Sequence, residues 1–290
     1  MNILSFDIEE WYLEKILHGG RKKKYDEYDT YLDKILSTLD ANNQKGTFFC
    51  VGKLVTDFPE VVRKIADKGH EIGCHSNIHT WLNKMTEKEM MRDTRDAVSA
   101  LEDVSSQKVL SYRAPAFTIG EKNKWAIEIL RECGIERDAS IFPAKRAFGG
   151  FDAFPADNPV IIDYYGTSIK EFPICLTKIC GKQLAFSGGG YFRFFPYNFI
   201  EKVMKGRDYN ICYFHIGDLI YKKEMFKTEY EEYYKEAYTM KNRLIRYIKS
   251  NLGTEGAFDK MVKLLNSQEF INLEMADNLI DWSKAQVVKI

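Results

Sequence analysis

The residues of this sequence best suited to chemistry are two histidines four positions apart, in His75-Ser-Asn-Ile-His79. Imidazoles at that spacing lie on one face of a helical turn and can share a metal ion. The chain holds only five histidines (His18, His70, His75, His79 and His215), and two of them form this pair just past an apolar run. The alternative is a chance pair of surface histidines. A catalytic metal site needs a third protein ligand and open positions for water and substrate. The acidic cluster Asp7-Ile-Glu9-Glu10 offers candidates. Along a strand Asp7 and Glu9 point to the same side, so one can bind the metal while the other takes a proton from metal-bound water. The same acids could instead cap a helix start, where they would suit its dipole, a reading that fits Glu10 better than Asp7.

Two further clusters follow apolar runs. In Ser111-Tyr-Arg113-Ala-Pro115-Ala116-Phe117, an arginine at a strand end can keep a catalytic carboxylate charged and oriented. The proline shapes a turn from which a backbone N–H, that of Ala116, can point at a developing oxyanion. In Cys212-Tyr-Phe-His215-Ile-Gly-Asp218, a protonated His215 could donate to a leaving amine, or could be a structural residue. Asp138, in Arg137-Asp-Ala-Ser140, could pair with His215 and raise its basicity, or could cap a turn.

These residues need elements to hold them. The 290 residues suffice for one large α/β domain or two small ones, and a substantial core. Lys+Arg and Asp+Glu both number 42, so nothing points to nucleic acid or an acidic membrane surface as the main partner. Apolar runs at 2–6, 46–52, 70–74 and 109–112 read as buried strands. Between them 29–39, 59–68 and 86–101 read as helices, with Thr86 and Glu89 at capping-box spacing. Residues 124–131 follow as a helix, Gly134 as its C-cap, and a further strand after it. This alternation predicts parallel βαβ units, closed as a barrel or open as a doubly wound sheet. In both, active sites lie at the strand ends where the polar clusters fall. From about 151 to 193 the pattern loosens, and Gly188-Gly-Gly190 reads as a flexible turn. The strand 210–214 then returns. Residues 222–251 read as a helix with Tyr230, Tyr233, Tyr234 and Tyr238 facing a core or an oligomer interface. Residues 258–265 form another helix, and a short final unit starts at Phe270. The six cysteines make no CxxC pair and read as free buried thiols. The start of the chain lacks a secretory pattern, and no stretch is long and apolar enough for a membrane span, so a cytoplasmic location is expected. One domain spanning 1–290, with a helical C-terminal part from about 222, is the expected organisation.

Taken in order, these blocks resemble the polysaccharide deacetylases with the NodB homology domain, carbohydrate esterase family four, in the branch of exopolysaccharide and glycan biosynthesis. The blocks are Ser5-Phe-Asp7-Ile-Glu9-Glu10-Trp11-Tyr12, His75-Ser-Asn-Ile-His79, Arg113-Ala-Pro115-Ala-Phe117, Asp138-Ala-Ser-Ile-Phe-Pro143 and Tyr213-Phe-His215. Thr47-Phe-Phe-Cys-Val-Gly52 and Phe186-Ser-Gly-Gly-Gly-Tyr-Phe-Arg193 also look like that branch. The resemblance implies a distorted (β/α) barrel of TIM-barrel type with one divalent metal, usually zinc. By its pattern Asp7 would be the general base, His75 and His79 metal ligands, Arg113 the residue orienting the base, and His215 the general acid supported by Asp138. A metal-bound water would attack an acetamide carbonyl, releasing acetate and a free amine. Trp11, Phe117 and Tyr191, inside the matching blocks, would contact the saccharide.

The sequence departs from the family at one place. Where the usual first block has two adjacent aspartates, the second a ligand, Ile8 stands here. Related members use an Asp-x-Asp spacing, which makes Glu9 the third ligand, with Glu10 as the alternative. Two other readings stay open: a hydrolase of cyclic amides or imides on the same barrel without a metal, and a saccharide-binding protein without catalysis. With no export segment in view, the expected substrate is an N-acetylated nucleotide-linked, lipid-linked or short glycan intermediate. The protein could also be an oligomer.

Overall fold

The computed structural model describes residues 1–146, 148–179, 181–220 and 239–290. Eleven strands occur among them: β1 (Asn2–Ile8), β2 (Thr47–Cys50), β3 (Glu71–Cys74), β4 (Ser111–Tyr112), β5 (Arg137–Asp138), β6 (Val160–Tyr164), β7 (Thr167–Glu171), β8 (Leu176–Ile179), β9 (Lys182–Ala185), β10 (Asn210–His215) and β11 (Val287–Lys289). Nine form one sheet in the order β10-β1-β2-β3-β4-β5-β7-β6-β11. Every neighbouring pair in it is parallel except β6 with β7. The fold is a distorted (β/α) barrel. Among the described residues no hydrogen-bonded ladder joins β10 to β11, so the ring is not closed by pairing there.

Local sequence explains the elements that carry the site. β1 and β2 are buried along most or all of their length, as strands covered on both faces must be, and accordingly read as largely apolar runs. The helix Pro59–Asp67 starts with proline at its first turn, where no N–H is needed, and buries Val61, Val62 and Ile65. Each of those side chains contributes about 1.5–3 kcal/mol on burial. Thr86 caps the helix Glu87–Ser105 in a reciprocal capping box with Glu89, as its spacing predicts.

Between 151 and 193 the chain makes two antiparallel hairpins, β6–β7 and β8–β9. The first turns through Tyr165 and Gly166, both at positive φ (48° and 89°), the backbone of a tight two-residue turn. Gly188-Gly-Gly190 is not a flexible turn: Gly188 precedes the helix Gly189–Phe194. Its backbone runs against Tyr213, where an added Cβ would lie 2.2 Å from the ring. The glycine is needed for close approach. The predicted helix over 222–251 lies in part outside the described residues, including Tyr230, Tyr233, Tyr234 and Tyr238; Met240–Asn251 is helical. The described cysteines Cys50, Cys74, Cys133, Cys175 and Cys212 are free.

The C-terminal stretch closes the end of the barrel opposite the strand tips. Ile271 pairs with Ile3, and Arg137 bridges Glu71 and Asp277 in a buried network that Lys170 joins. No helix among the described residues is long and apolar enough to cross a membrane.

Candidate metal and catalytic centre

The acidic and basic residues singled out in the sequence meet at the C-terminal ends of β1, β3, β4, β5 and β10. The parallel ladders run one residue past several of these strands. His75 N–H donates to Cys50 O, Arg113 N–H to Cys74 O and Ala139 N–H to Tyr112 O, each at 2.9 Å. Asp7 stands level with His215 across β1 and β10. Backbone pairing thus sets these side chains side by side, although they are remote in sequence.

Glu9, His75 and His79 offer ligand atoms that all lie within 4.8 Å of one another. Glu9 Oε2 is 2.5 Å from His79 Nε2 and 3.4 Å from His75 Nε2. His75 Nδ1 is 2.7 Å from the carbonyl oxygen of Arg113. A carbonyl only accepts, so Nδ1 carries the proton and Nε2 is the ring nitrogen turned toward the Glu9 carboxylate, placed to ligate a cation between them. Glu9 is held as a carboxylate: burial raises its carboxyl, but the imidazoles of His79 and His215 and hydrogen bonds with His75 and His79 outweigh this and hold it well below the ordinary range.

The two histidines do not share a helical turn. Residues 75–79 form a loop in which Ser76 and His79 take left-handed backbone, at φ 62° and 58°. His79 N–H donates to Ser76 Oγ and Asn77 N–H to Asp93 Oδ2, which fix the loop. Of the two glutamates, Glu9 joins the histidines. Glu10 turns away to accept from Gly217 N–H at 2.6 Å. Burial and the neighbouring charge of Glu9 push Glu10 up to about 7.

Arg113 donates to Asp7 Oδ1 at 2.8 Å, with both side chains buried. It is held in turn by Ala139 O and by the face of Phe49, 4.3 Å from its guanidinium carbon. Ala116 sits at φ 53°, a half-buried non-glycine residue in left-handed backbone. The next N–H, of Phe117, turns back to Ala114 O, while that of Ala116 donates to nothing among the described residues. His215 Nε2 lies 3.7 Å from Asp7 Oδ2 and 3.7 Å from Glu9 Oε1.

The expected partner of His215 is corrected. Its Nδ1 is 3.0 Å from Asp218 Oδ2, not paired with Asp138. Burial lowers the His215 imidazole, but Glu9, Asp218 and Asp7 outweigh this and push it up to about 10. Arg193, from the helix seated by Gly188, lies 3.6 Å from the other Asp218 oxygen. Asp138 is instead fully buried, accepts from Ser140 Oγ and lies across β5–β7 from Glu171. Burial pushes both carboxyls up. Asp138 reaches the site only through structure: Ser140 Oγ accepts from Ala114 N–H, beside Arg113. The sequence carried a signal for Asp218 in the His-x-x-Asp spacing, which lets a 3₁₀ turn fold the acid back onto the ring.

Two expected substrate contacts are also corrected. Trp11 is buried, donates its indole N–H to Asp29 and meets Tyr28 edge-on. Phe117 is buried between Tyr213 and Phe142. Both are packing residues, enclosed by the neighbouring side chains. Tyr191 is half-buried on the helix Gly189–Phe194.

Residues 25–137 match the family model described as polysaccharide deacetylase, and residues 139–276 match a domain of unknown function (DUF3473). Strands from both segments pair in the same sheet, β5 with β7. A peptidoglycan-N-acetylglucosamine deacetylase of Bacillus cereus is 34% identical over 99 residues, which are 34% of this chain and 36% of that protein. The peptidoglycan-N-acetylglucosamine deacetylase PgdA of Listeria monocytogenes is 31% identical over 160 residues, 50% of this chain and 32% of that protein. The chain therefore spans about a third of the length of these curated relatives. A crystal structure of a putative polysaccharide deacetylase from Mycobacterium smegmatis shares the fold, with a TM-score of 0.66 and 17% identity over 100% of this chain and 92% of that one.

Proposed function

We propose, from the premise that the chain belongs to the polysaccharide deacetylase family, that it is a metal-dependent hydrolase removing N-acetyl groups from a saccharide. The observation that carries this is the Glu9, His75 and His79 triad, with the Nδ1 proton of His75 already committed to Arg113 O. Three acceptor-bearing side chains converging in a buried place fit a divalent metal with imidazole and carboxylate ligands. Zinc is the metal we propose. When bound, it would polarise the acyl oxygen and acidify a water.

The remaining steps belong to the chain. Asp7 takes the proton of the attacking water, and its ion pair with Arg113 holds it aimed. The N–H of Ala116 donates to the oxyanion that develops on the acetamide oxygen. His215, protonated and steadied by Asp218, gives a proton to the leaving nitrogen. The curated relatives named above as peptidoglycan-N-acetylglucosamine deacetylases support an N-acetylated glycan as substrate.

The test is acetate release from N-acetylated oligosaccharides by the full chain. Chelation should abolish it and zinc restore it, and His75→Ala should lose both metal and activity while keeping its circular dichroism. Full acetate release after exhaustive chelation would refute the metal-dependent reading, and ring opening of a cyclic amide by the chelated protein without acetate release from sugars would favour the cyclic-amide reading. Saccharide binding without turnover under any metal would leave a binding protein.

A further inference from the structure

We infer that Arg146 forms an anion-binding subsite beside the Ala116 turn, taking N-acetylated saccharides that carry a carboxylate or a phosphate. The inference rests on the deacetylase reading and narrows its substrate class. The guanidinium carbon of Arg146 lies 4.5 Å from the ring centre of Phe142 and 5.1 Å from that of Phe117. Its Nη1 is buried and has no hydrogen-bond partner among the described residues. No described carboxylate forms an ion pair with it. The other arginines near the barrel interior are matched: Arg113 with Asp7, Arg137 with Glu71 and Asp277, Arg193 with Asp218. A guanidinium partly withdrawn from water without an acceptor is costly, and an anion would remove that cost through charge-assisted bonds. Its planar fork suits carboxylate and phosphate alike.

The loop that carries Arg146 is seated on the reaction centre. Gly150 N–H donates to Phe117 O at 2.8 Å, and a Cβ at Gly149 would lie 2.5 Å from Ala116 O. Asn83 Nδ2 donates to Phe148 O at 3.1 Å, while Trp81, two residues past His79, meets the Phe148 ring at 5.0 Å. Lys145 N–H donates to Asp152 Oδ1 at 3.1 Å. Phe117 stands between the two cations, its ring centre 5.6 Å from the Arg113 guanidinium and 5.1 Å from that of Arg146. Arg113 holds the base, so Arg146 is one aromatic ring away from the machinery that acts on the acyl group. A group of opposite charge on the same saccharide would be held there while the acetamide meets Ala116.

The test is calorimetric titration of the full chain with three sugars: N-acetylglucosamine 1-phosphate, N-acetylmuramic acid and neutral N-acetylglucosamine. We expect at least one anionic sugar to bind roughly tenfold to a hundredfold more tightly than the neutral one. Arg146→Met should remove that preference and leave the neutral sugar unchanged. Arg146→Lys, which keeps the charge without the fork, should fall between, and serves alone if the methionine variant does not fold. Preference for the phosphate or the carboxylate identifies which anion the subsite takes. Equal binding of all three sugars, no detectable binding of either anionic sugar, or an equal loss for all three in the variants would overturn the inference. Binding is read without turnover, so a protein that prefers anions but releases no acetate would refute the deacetylase reading and leave the subsite standing.

Discussion

Replacing Asp218 by asparagine tests the part of the site where structure departs most from sequence. Asp218 Oδ2 accepts from His215 Nδ1 at 3.0 Å, and its other oxygen faces Arg193 at 3.6 Å. Burial raises the Asp218 carboxyl, yet its hydrogen bond with His215, the His215 charge and Arg193 outweigh that and keep it below the ordinary range, so a charged acceptor steadies the imidazolium. Asp218→Asn keeps an oxygen in place and removes the charge. A hydrogen bond to a charged group contributes about 1.5–3 kcal/mol and a neutral one about 0.5–1.5, a difference of about 1–2 kcal/mol. At about 1.4 kcal/mol per decade that is roughly a 5- to 30-fold loss in kcat. The His215 side chain is 30% exposed, so water replaces part of the lost interaction and the lower half of that range is expected. Arg193 keeps its bonds to the carbonyls of Lys249 and Ser250, so the fold should survive. Asp218→Ala removes the acceptor altogether and should cost more. The assay is steady-state acetate release at saturating zinc, with melting temperature and bound metal measured beside it. The assignment fails if Asp218→Asn retains full kcat while Asp138→Asn loses it at unchanged stability, because His215 would then depend on Asp138.

Three other outcomes follow from the same geometry. Arg113→Met leaves Asp7 buried and unpaired; it should lower stability by about 3–5 kcal/mol in urea unfolding and remove activity, whereas a stable, active variant would show that Asp7 needs no partner. His70 is buried, and burial, with Lys45 nearby, lowers its imidazole from 6.5 to about 4. The unfolded chain therefore takes up that proton first as pH falls, so stability present above pH 6.5 should decline by about 3 kcal/mol on the way to pH 4. His70→Asn should lack that share of the decline; an identical pH–stability curve would refute it. Trp11→Phe should lower the melting temperature while leaving KM for saccharides unchanged, since Trp11 faces Asp29 and Tyr28. A KM effect without a stability effect would return Trp11 to the cleft.

Much of the architecture was legible because it is local. Apolar runs such as Asn2–Phe6 and Thr47–Cys50 read as buried strands, and the Thr86 capping box marks its helix within four residues. Parallel strands joined by helices put every strand end at the same rim, so polar residues after those runs had to meet. That is why Asp7, Glu9, His75, His79, Arg113 and His215, singled out from spacing and family pattern, stand together at one rim. Partner choice and facing were not legible, because they depend on distances between segments remote in sequence. The Glu9 or Glu10 question turned on one bond, from Gly217 N–H, more than 200 residues away. The sequence reading paired His215 with Asp138 alone; the β5–β7 pairing sets that acid across from Glu171, and a 3₁₀ turn folds Asp218 onto His215 instead. Trp11 and Phe117 looked like cleft aromatics until the packing of neighbouring elements enclosed them. Composition and period can say that a ring is apolar or a carboxylate charged; which neighbour removes it from water is settled by the close packing of the whole chain.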